Sequence, residues 1–267
     1  MTGRHGFAVA VAVVLVACTS GPTGRFTVNR HELAARCDGG PGPTVVFEAA
    51  VGGDHSLWPI ADRIKGKALA CVYDRAGQGD SSVPDTPLTA ETDVADLHAL
   101  LATAGIPRPI IVVGHSYGAQ IAWVEVAEHP DEVAGVLLID ATPPSGSNLL
   151  ESVLNDKQRK QFHDAFVGLR NVDFLTSLDQ AQTHYGVQPT AYVTIITASH
   201  SMRPWCDVNL PCGAMQKEAM ATADEFVADH LGTRAVLAET SHFVQDDDPD
   251  LVVREILRLV DLVSKAD

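Results

Sequence analysis

A short segment around Ser116 combines residue types that could carry out nucleophilic chemistry. It has the sequence Gly-His-Ser-Tyr-Gly over residues 114–118, between the apolar run 109–113 and the helix-like run 119–127. A Gly-x-Ser-x-Gly turn between a strand and a helix is sharp and strained, and it presents the serine hydroxyl at the helix N-terminus, where backbone N–H groups favour negative charge. The pattern predicts that Ser116 is a nucleophile, and a structural glycine–serine turn is the alternative.

Alternating strand-like and helix-like runs predict the elements that position this turn. Strands that alternate with helices favour a mostly parallel sheet covered on both faces. The segment from about 143 to 188 interrupts the alternation, and because it is polar and mostly helical in character we interpret it as a small lid. The predicted strands are 25–28, 32–37, 44–47, 68–73, 109–113, 135–139, 191–196 and 234–237, and the predicted helices are 57–64, 90–104, 119–127, 213–230 and 249–264.

Three motifs together make the chain resemble the α/β-hydrolase family over essentially all of its mature length. They are the segment at 114–118, the segment Tyr-Asp-Arg-Ala-Gly-Gln-Gly-Asp-Ser at 73–81, and Ser-His-Phe at 241–243 ahead of an Asp-Pro pair. The resemblance implies an eight-stranded, mostly parallel sheet with helices on both faces and a helical lid. It also implies a serine hydrolase that acts by acyl transfer without a cofactor or a metal.

The family resemblance assigns the base that the serine needs. A serine hydroxyl is a weak nucleophile at neutral pH and requires a histidine base and an acid that orients it. In this family the chain order is serine, acid, histidine, with the histidine in the loop after the last strand. His242 follows the predicted strand 234–237 and is therefore the implied general base, with a surface loop histidine as the alternative.

The triad acid has two candidates. The family's commonest position is the turn after the strand that follows the lid, here residues 198–202, and this turn contains no carboxylate. Asp140 ends the strand after the nucleophile helix, a position that some relatives use, and a strand end holds a side chain rigidly. Asp207 lies on a downstream loop beside Cys206. We favour Asp140, for which capping of the lid's first turn is the alternative role.

Two backbone N–H groups must bind the oxyanion of a tetrahedral intermediate. The resemblance implies Tyr117, directly after the nucleophile, and a donor from the loop after strand 44–47. That loop has the sequence Glu-Ala-Ala-Val-Gly-Gly over residues 48–53 and lacks the family's His-Gly. Val51 is the predicted donor. Asp74 and Arg75, from the second motif, are interpreted as structural.

The substrate expectations follow from the same loops. His115, Gly52 and Gly53 are predicted to border a small ester or acyl substrate. A serine at position 116 argues against the dehalogenase and epoxide hydrolase relatives, which use aspartate there. Carboxylic esters are favoured, with amides, peptides, lactones and lipids left open. A cofactor-free haloperoxidase-type enzyme and an inactive binding protein are the alternatives, and the presence of both Ser116 and His242 argues against the second.

Composition and charge restrict the class of protein. With 267 residues and 46% hydrophobic residues, the chain is long enough for one domain with a sizeable core. The net charge is −15, and the pI is about 5.0. Such a surface repels the phosphates of nucleic acids and anionic membrane surfaces, so neither is expected as a partner.

The N-terminal residues have the pattern of an export signal. Arg4 and His5 precede the apolar run 7–17, which is too short to span a bilayer. The sequence Leu-Val-Ala-Cys that ends at Cys18 resembles the lipobox of bacterial lipoproteins, whose cysteine is acylated. We therefore predict a signal peptide over 1–17, a tether over 18–24, a hydrolase domain over 25–267 and an outward-facing lipoprotein. The alternative is an ordinary signal and a freely secreted protein.

Export changes the interpretation of the other four cysteines, because an even number in an oxidising compartment predicts disulfides. Four cysteines allow three pairings. Proximity favours Cys206–Cys212, and the α/β-hydrolase resemblance implies Cys37–Cys71, since the family's strand order puts their two strands side by side. Metal binding by cysteine is disfavoured, because the short spacing of zinc sites is missing.

Overall fold

Continuous apolar runs form the central strands of this computed structural model, which describes residues 21–53, 55–141, 144, 152–167, 172–202 and 210–266. Every residue of β3 (Thr44–Glu48) and β5 (Ile110–His115) is buried, as expected for parallel strands that helices cover on both faces. The other strands are β1 (Thr23–Val28), β2 (His31–Gly39), β4 (Leu69–Tyr73), β6 (Val133–Ile139), β7 (Tyr192–His200) and β8 (Arg234–Ser241).

These strands form one eight-stranded sheet in the order β1-β2-β4-β3-β5-β6-β7-β8. β2 pairs antiparallel with β1 and β4, and the other neighbouring strands pair parallel. The predicted α/β-hydrolase fold with its mostly parallel sheet is therefore confirmed. Because parallel strands end at the same edge, the loops after β3, β5, β6 and β8 meet there.

Helices cover both faces of the sheet. They are α1 (Trp58–Ile64), α2 (Ala90–Thr103), α3 (Tyr117–Glu128), α4 (Asp156–Val167), α5 (Phe174–Thr183), α6 (Cys212–Asp229), α7 (Val244–Asp247) and α8 (Pro249–Ala266). The apolar residues of α1 and α8 form one core with one face of the strands. Those of α2, α3, α5 and α6 form a second core on the opposite face. The helix α3, which begins one residue after Ser116, is buried along nearly its whole length.

The predicted lid is helical where the structure describes it, in α4 and α5. Helix α5 packs against the core instead of lying loosely over it, because Leu178 and Ala181 are buried. The hydroxyl of Ser177 accepts a hydrogen bond of 3.0 Å from the backbone N–H of Ala90 at the start of α2. The second half of the predicted lid is thus a fixed part of the layer formed by α2 and α3.

The disulfide between Cys37 and Cys71 is confirmed. The two residues face each other in the antiparallel pairing of β2 with β4, and their Cα atoms are 4.0 Å apart. The other predicted disulfide involves Cys206, which lies outside the described residues. The bond that is present crosslinks neighbouring strands at the antiparallel side of the sheet.

The predicted signal peptide and Cys18 also lie outside the described residues. The strand β1 begins at Thr23, so Thr23 and Gly24 belong to the sheet and not to the predicted tether. The backbone carbonyl of Pro22 already accepts a hydrogen bond of 3.0 Å from the N–H of Cys37. Across the residues that the structure covers, no helix has the length and apolar character needed to cross a membrane.

Candidate active site

Ser116 occupies a strained turn between β5 and α3. Its backbone has φ 55° and ψ −117°, a conformation that residues other than glycine rarely adopt. A Cβ atom on Gly114 would collide with the carbonyl of Gly118, and a Cβ on Gly118 would collide with the carbonyls of Glu48 and Ala49. Both glycines of the motif are therefore required for the close approach of the helix to the strands. The turn has the shape that the sequence predicts for a nucleophile.

Asp140 follows the strand next to the one that leads to Ser116. His115 and Ile139 are paired in the β5–β6 register, and the N–H of Ser116 donates a hydrogen bond of 3.0 Å to the carbonyl of Ile139. Ser116 and Asp140 thus leave the same edge of the sheet from adjacent strands. Asp140 also has a positive φ, 41°, so its backbone is strained in the same way. Such outliers cluster at functional sites.

The loop after β8 brings His242 to Asp140. The Nδ1–H of His242 donates a hydrogen bond of 2.8 Å to Oδ2 of Asp140. Oδ1 of Asp140 accepts a second one, of 2.9 Å, from the N–H of Ala198 in β7. The carboxylate is therefore fixed at both oxygens. With the proton on Nδ1, the neutral ring carries its lone pair on Nε2, as a general base requires.

The second candidate for the acid, Asp207, lies outside the described residues. The turn that lacks a carboxylate is in fact the end of β7, which extends to His200. Its residue Ala198 supplies the N–H that fixes Asp140. The strand end at which the family resemblance places the acid thus provides a backbone donor to Asp140, which follows the neighbouring strand.

His115 supports the loop of His242. Its side chain is completely buried, and its Nε2–H donates a hydrogen bond of 2.8 Å to the carbonyl of His242. The two rings lie 4.8 Å apart. Burial, and then the charge of His242, lower the pKa of His115 to about 3, so the ring stays neutral. This place in the structure corrects the prediction that His115 borders the substrate, since a fully buried ring is not accessible to one.

Arg75 holds the loop that the sequence predicts to supply the second oxyanion donor. Its guanidinium donates hydrogen bonds of 2.6 Å to the carbonyl of Ala49 and 2.8 Å to that of Ala50. A trans peptide points its N–H opposite to its carbonyl, so the N–H groups of Ala50 and Val51 point away from Arg75. The predicted donor Val51 therefore belongs to a peptide whose orientation a buried cation fixes.

The glycine pair completes the turn. The N–H of Gly53 donates a hydrogen bond of 3.1 Å to the carbonyl of Ala50, and Gly52 has φ 69°. The carbonyl of Gly53 in turn accepts from the hydroxyl of Ser56 at 2.9 Å. Gly52 and Gly53 thus shape the loop by their backbone conformation, and their contact with a substrate stays a prediction.

A buried ionic cluster that sequence spacing does not predict lies behind this loop. Arg75 also donates to Oε2 of Glu48 at 3.1 Å, and its Nε lies 3.9 Å from Oδ2 of Asp93. The hydroxyl of Tyr73 donates to Glu48, and that of Tyr117 donates to Asp93 at 2.8 Å. All five side chains are buried. We call them the Arg75 cluster.

The Arg75 cluster contains two carboxylates and one guanidinium. Burial raises the pKa of Glu48 to about 7 and that of Asp93 to about 6, and Arg75 opposes both shifts. The signal in the sequence was a glutamate directly after the apolar run 44–47. Such a residue has to be buried and therefore needs a partner. The partner is the arginine that was interpreted as structural.

Two groups among the described residues have the donor types of a metal site. One consists of His98, Glu125 and His129, and the other of Glu91, Glu128 and His184. Neither includes Ser116, His242 or Asp140, so the geometry of the candidate active site does not involve them.

Comparisons with known proteins agree with the fold. A sequence model described as "Alpha/beta hydrolase family" matches residues 13–255. The chain is 35% identical over 103 residues to "Uncharacterized protein YqjL" of Bacillus subtilis (strain 168), a match that covers 38% of this chain and 41% of YqjL. This chain spans less than half the length of the curated relatives that it matches.

Solved structures share the architecture over most of the chain. The enol-lactonase from Burkholderia xenovorans LB400 has a TM-score of 0.61 and 20% identity, covering 88% of this chain and 99% of the lactonase. A thermophilic esterase from Thermogutta terrifontis has a TM-score of 0.62 and 16% identity, covering 90% of this chain and 98% of the esterase. At these identities the likeness concerns the fold. Because the family match extends over most of its length, the chain belongs to the alpha/beta hydrolase family.

Proposed function

We propose that the protein is a serine hydrolase that cleaves carboxylic esters through Ser116, His242 and Asp140. The observation that carries the proposal is the hydrogen bond from His242 to a doubly fixed Asp140, at the same sheet edge as the strained turn of Ser116. Three residues far apart in sequence provide a nucleophile, a base and an orienting acid. This is the arrangement that acyl transfer requires.

The reaction proceeds in two steps. Nε2 of His242 takes the proton of Ser116 as Oγ bonds to the acyl carbon, and the oxyanion is bound by the N–H groups of Tyr117 and Val51. His242 then returns the proton to the alkoxide oxygen as the ester C–O bond breaks, leaving an acyl-enzyme. A water molecule adds in the same way, and breakage of the bond to Ser116 releases the acid. Asp140 stabilises the transient imidazolium in both steps.

The orientation of the oxyanion loop supports a part for Arg75. A donor helps only if it already points to the position where charge develops, since reorientation during the reaction would cost free energy. Two hydrogen bonds from one rigid guanidinium fix both adjacent peptides. We propose Arg75 as a positioning residue that acts through the loop of Val51 and does not touch the substrate.

Ester specificity is supported by relatives of the fold. One structural neighbour is named an enol-lactonase, and a lactone is a cyclic ester; another is named an esterase. Small esters are the substrates that we propose. Export is supported by the disulfide Cys37–Cys71, because disulfides persist in oxidising compartments. We propose that residues 1–17 are an export signal and that Cys18 carries a lipid.

Labelling with a fluorophosphonate tests the nucleophile. The wild type should be labelled at Ser116, Ser116→Ala should remain unlabelled, and Ser264→Ala, at the far end of α8, should be labelled like the wild type. Failure of the folded wild type to react would overturn the proposal.

Turnover of p-nitrophenyl acetate, p-nitrophenyl palmitate and acetyl p-nitroanilide then tests the substrate class. Preference for the anilide would replace the ester with an amide.

Mass spectrometry of the protein from its native cell envelope tests the anchor. A mature N-terminus at Cys18 that carries diacylglycerol is expected, and Cys18→Ser should move the protein to the soluble fraction. A mature chain with unmodified Cys18, or one that begins further along, would show that the protein is secreted freely.

A further inference from the structure

Three donors of the types that bind metals converge near the C-terminal end of α3. They belong to His98 of α2, Glu125 of α3 and His129, the residue that follows α3. One imidazole nitrogen or carboxylate oxygen from each lies within 4.8 Å of those of the other two. We call these residues the His98 cluster. Glu125 and His129 lie about 14–20 Å along the axis of α3 from Ser116, at 1.5 Å per residue.

Glu125 is the residue in this cluster that most needs a partner. It has no exposed surface, and neither of its carboxylate oxygens has a hydrogen-bond partner among the described residues. Burial, followed by the charges of Glu48 and Glu132, raises the pKa of Glu125 to about 8. Buried carboxylates are normally paired, and an orphan of this kind indicates a proton or a cation that completes it.

The two histidines lie side by side, and the neutral form, which coordinates metals, is favoured at His129. Their rings stack with centroids 4.1 Å apart and an interplanar angle of 18°, an arrangement that disfavours a positive charge on both. Burial, and then the charge of His98, lower the pKa of His129. Neutral imidazole is the metal-binding form. Both histidines are half-buried, so an ion can reach them from solvent.

The charged groups around Glu125 do not neutralise it fully, which favours a cation there. Oε2 of Glu132 lies 3.4 Å from Nδ1 of His98 and 3.0 Å from Nε of Arg108. Arg108 is thus paired with Glu132, and its charge does not compensate Glu125 in full. Glu128 adds a further negative charge to the environment of Glu125. A divalent cation would offset this excess.

We propose that His98, Glu125 and His129 bind a divalent transition-metal ion, for which Zn²⁺ is the best match. Two imidazoles and a carboxylate are a ligand set of zinc, whereas Mg²⁺ and Ca²⁺ prefer oxygen donors. With zinc–ligand bonds of about 2.0–2.2 Å, donors in a tetrahedral site are about 3.3–3.5 Å apart, so closure from the observed spacing needs movements of about 1 Å. The ion connects α2 to the end of α3, and its role is independent of ester hydrolysis.

Calorimetric titration of chelator-treated, untagged protein with ZnCl2 tests the site. The wild type should bind one ion with a dissociation constant that His98→Gln and His129→Gln each weaken at least about tenfold, comparable with the loss of a supporting ligand contact. Glu125→Gln should weaken it as well. His184→Gln changes the exposed group Glu91, Glu128 and His184 and is the matched control, so its affinity should equal that of the wild type. MgCl2 should give no binding at the same concentration.

Thermal unfolding gives an independent readout. ZnCl2 should raise the Tm of the wild type and of His184→Gln, and the double variant His98→Gln/His129→Gln should lose this increase while keeping the fold. Absence of zinc binding by the wild type would overturn the proposal and leave a protonated Glu125. Loss of binding in His184→Gln, with retention in the double variant, would overturn it by assigning the ion to the exposed group.

Discussion

The two ends of helix α3 both bury carboxylates, but they balance them differently. At the N-terminal end, Glu48 and Asp93 share the guanidinium of Arg75 and receive hydrogen bonds from two tyrosine hydroxyls. Near the C-terminal end, Glu125 has no hydrogen-bond partner in the described part of the chain. The first cluster contains its own cation and fixes a loop of the candidate active site. The second needs a proton or an ion from outside.

This difference distinguishes a cluster that positions neighbouring groups from a cluster that binds a proton or an ion. A cluster that contains its own cation holds its neighbours in one arrangement without any ligand, as Arg75 holds the carbonyls of Ala49 and Ala50. A cluster that lacks one responds to what solution supplies, whether protons or metal ions. We therefore expect substitutions at the N-terminal end to change catalysis and those at the C-terminal end to change stability.

The largest expected effect is that of Asp140→Asn. Asparagine cannot hold His242 in the tautomer that leaves Nε2 unprotonated, so kcat for ester hydrolysis should fall about 10⁴-fold. Steady-state kinetics with p-nitrophenyl acetate measures it. Asp131→Asn, an exposed substitution just beyond the C-terminal end of α3, is the control and should have the wild-type kcat. A loss of this size in Asp207→Asn but not in Asp140→Asn would transfer the acid to Asp207.

Arg75→Lys should have the next largest effect. Lysine keeps the charge beside Glu48 and Asp93, but a single ammonium cannot bond both loop carbonyls in the fork geometry of a guanidinium. We expect kcat to fall about 10- to 100-fold, somewhat less than removal of an oxyanion donor, with KM changed less than about threefold. Steady-state kinetics and thermal unfolding, measured on the same preparation, separate the effect on catalysis from the effect on stability.

The matched control for this variant is Arg63→Lys on α1, where the arginine is exposed and pairs with Asp250. It should leave both kcat and Tm at wild-type values. A lower Tm with unchanged kcat in Arg75→Lys would make Arg75 a purely structural residue, as its sequence motif predicts. The N-terminal end of α3 would then resemble the C-terminal end in its consequences.

Local patterns predicted the elements and the strained turn because these depend on neighbouring residues. The strand before Ser116, the helix after it and the need for glycine at 114 and 118 are all encoded within about fifteen residues. Asp140 could also be predicted from the sequence, since a carboxylate at the end of an apolar strand lies at the edge where ligands bind in α/β sheets. The disulfide Cys37–Cys71 required the family's strand order, because spacing alone does not choose a pairing.

The two buried clusters could not be predicted in the same way. Glu48, Arg75 and Asp93 are brought together by β3, β4 and α2, and sequence spacing carries no information on such contacts. The burial of His115 had the same origin, since its partner His242 lies 127 residues away. For Glu125 a usable signal existed. The run 119–127 is apolar on nearly all sides, and a glutamate in such a helix has to be buried.

The smallest expected effect is a pH dependence of stability that distinguishes the two ends in metal-free protein. The pKa of Glu125 is raised from 4.5 to about 8 in the folded state, so the folded state binds this proton more tightly than the unfolded state does. Stability from this group is highest below pH 4.5 and is lost as pH rises towards 8. For Glu48, with a folded pKa of about 7, the loss is nearly complete at pH 7. Between pH 7 and 8.5 the loss of stability therefore comes mainly from Glu125, near the C-terminal end of α3.

Urea unfolding at pH 7 and 8.5 in the presence of a chelator measures this. The wild type should lose about 1 kcal/mol over this range, the scale of one pKa unit. Glu125→Gln cannot ionise and should lose much less, whereas Glu48→Gln should lose as much as the wild type. An equal loss in all three proteins would mean that Glu125 is already compensated in the folded chain. Saturating ZnCl2 should abolish the fall in the wild type's free energy of unfolding, because an ion in place of the proton allows Glu125 to remain charged. The buried carboxylates at both ends of α3 would then have a cation beside them.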